Sequence, residues 1–140
     1  MNGAAPVDRE RTPATPPHDH DSAGYLEATQ RGELAVQVCR PAGHVLHLPR
    51  GYCHRCDTFD VTWRPVAPTA TVHTWTTVEH AVDPAFPVPY TIVLVEVDEL
   101  PGVRFVGHLS GRPELTVGTP MAARFERGAD GSRVPTWELA

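Results

Sequence analysis

The sequence predicts a mainly β chain: a short N-terminal helix, a zinc-ribbon-like segment, then a five-stranded barrel. Three observations carry this. The hydrophobic period switches to two from Glu33 onward, cysteines 39, 53 and 56 stand near the spacing of paired metal-binding turns, and everything after Cys56 is β-prone sequence cut by Gly/Pro turns. The division that follows is a tail over 1–21, the helix and ribbon-like segment over 22–66, and the barrel over 67–140.

Residues 1–21 hold Pro6, Pro13, Pro16 and Pro17 among scattered charges and almost no large apolar side chains. Such a segment cannot bury enough surface to offset its ordering entropy, so a disordered tail is expected. Its His18 and His20 offer a metal-binding His-Asp-His run, or plain solvated side chains. Asp21 or Ser22 is positioned to cap a helix through Arg31, and Gly32 to stop it. The apolar positions of that helix (Tyr25, Leu26, Ala28) are sparse, so it must pack on something else.

Leu34, Val36 and Val38 then alternate up to Cys39. Val45-Leu46 forms a second short extended piece that Pro49-Arg50-Gly51 ends. The second metal-binding turn follows as Cys53-His54-Arg55-Cys56. A first turn of the same kind would run from Cys39 to position 42, where Ala42 stands. Structural zinc prefers four tetrahedral ligands with thiolates favoured. Cys39, Cys53 and Cys56 supply three; His44 and His47 are the candidates for the fourth, and His44 is expected to need a lengthened turn. The alternatives are a metal-free ribbon with three thiols, or a disulfide. A nucleophilic or redox cysteine is less favoured: neither the helix-opening context of a redox Cys-x-x-Cys nor a convincing base accompanies it.

Beyond the second turn strands are expected at Val61–Val66, Thr69–Val78, Tyr90–Asp98, Val103–Leu109, Met121–Glu126 and Val134–Leu139, the last five of them in the barrel. Pro101-Gly102 and Val117-Gly118-Thr119-Pro120 turn the chain between them.

The order of these parts resembles the acyl-CoA-associated OB-fold family, whose members carry a rubredoxin-like zinc ribbon at the N-terminus. The resemblance covers Gly24 to Leu139. It is carried by Gly32-Glu33-Leu34 leading into a cysteine, Gly43 after the first turn, and Pro49-Arg50 before the second. Thr74-Trp75-Thr76, Phe86 with Pro89-Tyr90, and Val117-Gly118-Thr119-Pro120-Met121 complete it. The departure is Ala42. The resemblance implies an OB-fold barrel and a non-catalytic accessory subunit. Its partner would be a thiolase-superfamily enzyme or a hot-dog-fold enoyl-CoA hydratase, in steroid or lipid degradation or natural-product acylation. It also implies acyl-CoA as ligand. For that ligand Arg50, Arg55 and Arg64, with Arg104 behind them, are candidate phosphate-binding cations, and Trp75, Phe86 and Tyr90 are candidate channel residues. Each has a plainer reading: Trp75 as barrel core, Arg55 as a solvated turn residue, Phe86 as packing on its own barrel. The Pro-rich loop Val82–Pro89 is the candidate partner surface.

A net charge of −5 and no basic cluster argue against nucleic acid, which draws affinity from Lys and Arg on phosphates, although OB barrels often bind it. No apolar run reaches the roughly eighteen residues of a membrane span. No apolar leader stands at the N-terminus, so a cytoplasmic setting is expected.

Overall fold

The computed structural model describes residues 19–128 and 131–140. The expected tail lies outside them as far as position 18, His18 included, as do positions 129–130 of the 128–131 loop. Residues 19–21 are described and form a turn into the helix α1 (Ala23–Gln30). The carboxylate that holds that start lies two residues before the earlier of the expected caps. Neither Asp21 nor Ser22 caps through its side chain; the Asp19 carboxylate accepts from the Ser22 N–H and hydroxyl, both at 2.7 Å. Gly32 ends the helix in the left-handed region (φ 77°), where Gly32 N–H bonds Thr29 O and Glu33 N–H bonds Ala28 O, a Schellman closure that only glycine enters without strain.

Among the described residues eight strands follow: β1 (Leu34–Cys39), β2 (Val45–Leu46), β3 (Val61–Val66), β4 (Thr69–Val78), β5 (Tyr90–Val97), β6 (Arg104–Ser110), β7 (Pro120–Arg127) and β8 (Arg133–Leu139). They make two antiparallel sheets, one in the order β2-β1-β3 and one in the order β6-β5-β4-β7-β8. The expected strand limits agree within a residue, because Gly and Pro punctuate almost every connection.

The five-stranded sheet curls until its edge strands meet through side chains. At Gly107 on β6, an added Cβ would stand 2.9 Å from Trp137 Cδ1 and 3.0 Å from Trp137 Cβ on β8. The absence of a side chain at Gly107 admits the indole of Trp137, which is buried in the seam. The barrel interior is filled by Ala70, Val72, Val93, Val95, Val97, Met121 and Ala123.

Every residue of β1 is buried. Leu34, Val36 and Val38 join the barrel core, so the small sheet and the barrel share one apolar cluster. The intervening residues, which alternation alone would leave half-exposed, are covered as well, with α1 packed against β1 and β8. The Thr29 hydroxyl lies 2.8 Å from both Leu26 O and Arg133 O, and the Gln30 amide exchanges hydrogen bonds with the Arg133 backbone. These contacts occupy polar groups at the start of an edge strand that would otherwise be free to pair elsewhere.

Helix α1 is seated by Gly24. A Cβ there would fall 1.9 Å from Trp63 Nε1 on β3. Gly24→Ala is therefore expected to destabilise the chain by about 1–3 kcal/mol despite its gain in helix propensity. A thermal melt reads this as a lower Tm, and an unchanged Tm would show that the indole moves away freely.

Candidate metal centre

Cys39, His44, Cys53 and Cys56 converge at the end of the small sheet, with their four ligand atoms all within 4.8 Å of one another. Cys39 is the last residue of β1. His44 reaches the same point by strand register: Val38 pairs with Val45, and the next pair outward is Cys39 with His44, whose backbone N–H···O bond is 3.0 Å. Directly opposed residues of an antiparallel pair point to the same face. The turn therefore does not lengthen to bring in the imidazole, contrary to the expectation from the missing thiolate. Gly43, at φ 68°, and the 2.8 Å bond from its N–H to Cys39 O close the turn, and Ala42 sits exposed on it.

The second turn is equally local. Cys53 and Thr58 exchange backbone hydrogen bonds of 2.9 and 3.2 Å, Asp57 takes a left-handed conformation, and the Tyr52 hydroxyl donates to the Asp57 carboxylate. Cys53 is buried and Cys56 half-buried, whereas His54 and Arg55 are exposed. The buried amide oxygen of Gln37 on β1 accepts from Arg50 N–H and Gly51 N–H, each at 3.0 Å, and so ties the approach to this turn to the central strand.

A tetrahedral ion with metal–sulfur bonds near 2.3 Å and metal–nitrogen bonds near 2.0 Å sets ligand–ligand edges of about 3.8 Å (S···S) and about 3.5 Å (S···N). The observed separations are 3.9 Å for Cys39 Sγ–Cys56 Sγ, 3.5 Å for Cys53 Sγ–His44 Nδ1 and 3.4 Å for Cys56 Sγ–His44 Nδ1. These four residues can thus hold one metal ion through three thiolates and Nδ1. His47 is not part of the cluster; its Nε2 lies 2.7 Å from Arg104 O and its ring packs on Phe105.

The thiols differ in acidity. Burial works against the Cys39 thiolate, but N–H groups of Ala42 and His44 directed at its sulfur, together with hydrogen bonds from the Cys53 and Cys56 thiols, more than offset it, so its pKa falls below the ordinary value. Cys56 is pushed up to about 11, by burial first and then by Cys39 and Cys53.

The residues expected to meet acyl-CoA are distributed differently. Arg50, Arg55 and Arg64 are exposed on the ribbon half and form no ion pair among the described residues. Trp75 lies on β4 opposite Val93 and is 39% exposed. Phe86 and Tyr90 do come together, joined by His108, with ring centroids 5.0–5.9 Å apart. With Ile92, Val106 and Pro135 they line a hollow of about 520 Å³ between β6 and β8. A second cavity, of about 290 Å³, lies between α1, the small sheet and β6, and Tyr25, Trp63 and Phe105 are among its walls. Neither wall is legible along the chain, because its residues come from strands distant in sequence. Arg104 lines the smaller cavity but is engaged by Glu96 at 2.9 Å, which in turn holds the Glu96 carboxyl below its ordinary pKa. Among the described residues no helix is long and apolar enough to cross a membrane.

Residues 63–126 match the family profile described as the ChsH2 C-terminal OB-fold domain. A probable enoyl-CoA hydratase alpha subunit of Thermomonospora curvata is 32% identical over 108 residues, 76% of this chain; the chain spans about a third of that relative's length. Among solved structures, a chain of the Ltp2–ChsH2(DUF35) aldolase superposes with a TM-score of 0.80 at 28% identity, over 89% of this chain and 98% of that one. A DUF35 protein of unknown function from Sulfolobus solfataricus shares the fold at a TM-score of 0.51 and 15% identity, over 72% of this chain and 73% of that one.

Metal binding must displace the protons held by these thiols, so affinity rises with pH. With Cys56 near 11 in the metal-free chain, at least one proton leaves on binding throughout the neutral range. Metal affinity is expected to increase at least about tenfold from pH 7 to pH 8 in a chelator-competition titration. A flat profile would mean that Cys56 is not a ligand.

Proposed function

We propose that this chain, whose residues 63–126 match the ChsH2 C-terminal OB-fold profile, is a non-catalytic accessory subunit that associates with a thiolase-superfamily enzyme and helps hold or pass an acyl-CoA substrate. One observation carries the reading: the chain superposes over nearly the whole of its counterpart in the Ltp2–ChsH2(DUF35) aldolase. A second reading, partnership with an enoyl-CoA hydratase, is favoured by the name of the Thermomonospora relative. The non-catalytic role is supported by the cysteines. A nucleophile–base pair needs one thiol and one imidazole, whereas here all three thiols and His44 Nδ1 are gathered at a single point, as an ion requires.

Zinc is the ion that suits a donor set of three thiolates and one imidazole. When bound it supplies folding energy to the end of the small sheet, where Cys39, Leu46 and Cys53 form a small apolar cluster of their own. In this reading the exposed Arg50, Arg55 and Arg64 meet phosphates, and the Phe86–Tyr90–His108 hollow receives part of the pantetheine arm.

Affinity capture of the tagged chain from its native host is expected to recover a thiolase-like enzyme subunit. Recovery of a hydratase alone would select the second reading, and recovery of neither would sink both. Elemental analysis of the purified chain is expected to give about one zinc per chain. His44→Ala should weaken retention against a chelator by more than about 100-fold, and His44→Cys should restore it. Full zinc retention in His44→Ala would remove His44 from the ligand set.

A further inference from the structure

The 290 Å³ cavity between α1, the small sheet and β6 is almost wholly apolar. Its walls include Val36 and Leu46 from the small sheet, Trp63 from β3 and Phe105 from β6. Two features distinguish it from a packing defect. The first is its mouth: Leu48 and Val106 line it while remaining 74% and 70% exposed, so an apolar rim faces water where polar side chains would cost nothing. The second is Tyr25, which also lines it. The Tyr25 ring stacks on Phe105 at 6.0 Å, yet its hydroxyl bonds to no group among the described residues. Burial pushes its pKa up to about 12, so it remains a neutral donor at any physiological pH. The hydroxyl is not sealed in the core: Arg133 Nε is the buried side-chain atom left unpartnered among the described residues, so Tyr25 Oη faces open space where it can donate to a ligand.

An apolar cavity of about 150 Å³ stays dry and takes up benzene. This one is about twice that size, room for roughly ten to twelve non-hydrogen atoms. The geometry points to this cavity as a binding site for the acyl end of a thioester, an apolar chain or ring system of that size whose carbonyl oxygen accepts a hydrogen bond from Tyr25 Oη. The assignment rests on the acyl-CoA reading above and deepens it. Val106 is shared with the Phe86–Tyr90–His108 hollow, so the mouth of the acyl cavity opens onto the surface where the rest of a long thioester would lie.

The test is methyl-detected NMR of the zinc-loaded full chain, titrated separately with decanoyl-CoA, decanoyl-N-acetylcysteamine and free CoA. Both decanoyl thioesters are expected to shift the methyls of Val36, Leu46 and Leu48, and free CoA is expected to leave them in place. Leu48→Trp, at the exposed rim, should abolish those shifts without changing zinc content. Tyr25→Phe should weaken decanoyl-N-acetylcysteamine about three- to tenfold while leaving the corresponding decyl thioether, which lacks the carbonyl, unaffected. Cavity shifts with N-acetylcysteamine thioester but no added affinity from CoA would uphold the cavity and overturn the CoA reading. Binding of decanoyl-CoA without cavity shifts, or insensitive to Leu48→Trp, would overturn the cavity assignment and leave the CoA reading standing. Equal weakening of thioester and thioether by Tyr25→Phe would overturn the role of the hydroxyl.

Discussion

Complete burial of one six-residue strand is the constraint on which the rest of this structure depends. Strand β1 serves three neighbours at once. Leu34, Val36 and Val38 enter the barrel core, each side chain worth about 1.5–3 kcal/mol when fully withdrawn from water. Gln37 holds the backbone that leads into the second turn, and Cys39 ends the strand at the metal cluster. The ribbon half is thus an extension of the barrel's own packing. Moving β1 would disturb core, loop and ligand set together, because a register slip of one residue turns every side chain to the opposite face.

The same register explains how a ribbon can lose a thiolate and keep a ligand set of four. A Cys-x-x-Cys turn places its second sulfur by looping around the ion. Here the loop carries Ala42 at that step, and the returning strand delivers His44 instead, because hairpin pairing sets it across from Cys39. An imidazole on the returning strand and a sulfur on the turn approach the ion from different parts of the backbone but satisfy the same tetrahedron. The apolar cluster around them is small, whereas the barrel cluster is large and continuous. Order at the ribbon's tip should therefore follow the ion, while order in the barrel follows packing.

Exposed ion pairs such as Arg40–Asp60 and Arg31–Glu33 contribute little to either half. The surface features that matter are apolar: the rim at Leu48 and Val106, and the aromatic hollow around Tyr90. Both lie along β6, one edge of the barrel sheet, beside the seam that Trp137 fills over Gly107. Leu48 and Val106 there stay largely exposed, whereas Phe86 and Tyr90 pack on each other and on His108.

The sequence by itself determined the strands, their limits, the stop at Gly32 and three of the four residues that gather in the candidate metal centre. These are local properties: period-two alternation, Gly and Pro at turns, and a Cys-x-x-Cys whose two sulfurs are brought together by their own loop. His44 was legible as a candidate but not separable from His47, since the choice depends on which residue faces Cys39 across the hairpin. Only the tertiary structure decided that. Only it, too, placed Tyr25, Trp63 and Phe105 around one cavity, grouped Phe86 and Tyr90 with His108, and left Trp75 half outside the barrel. These groupings arise where strands distant along the chain pack side by side, and the spacing of residues along one strand holds no record of what lies against its face.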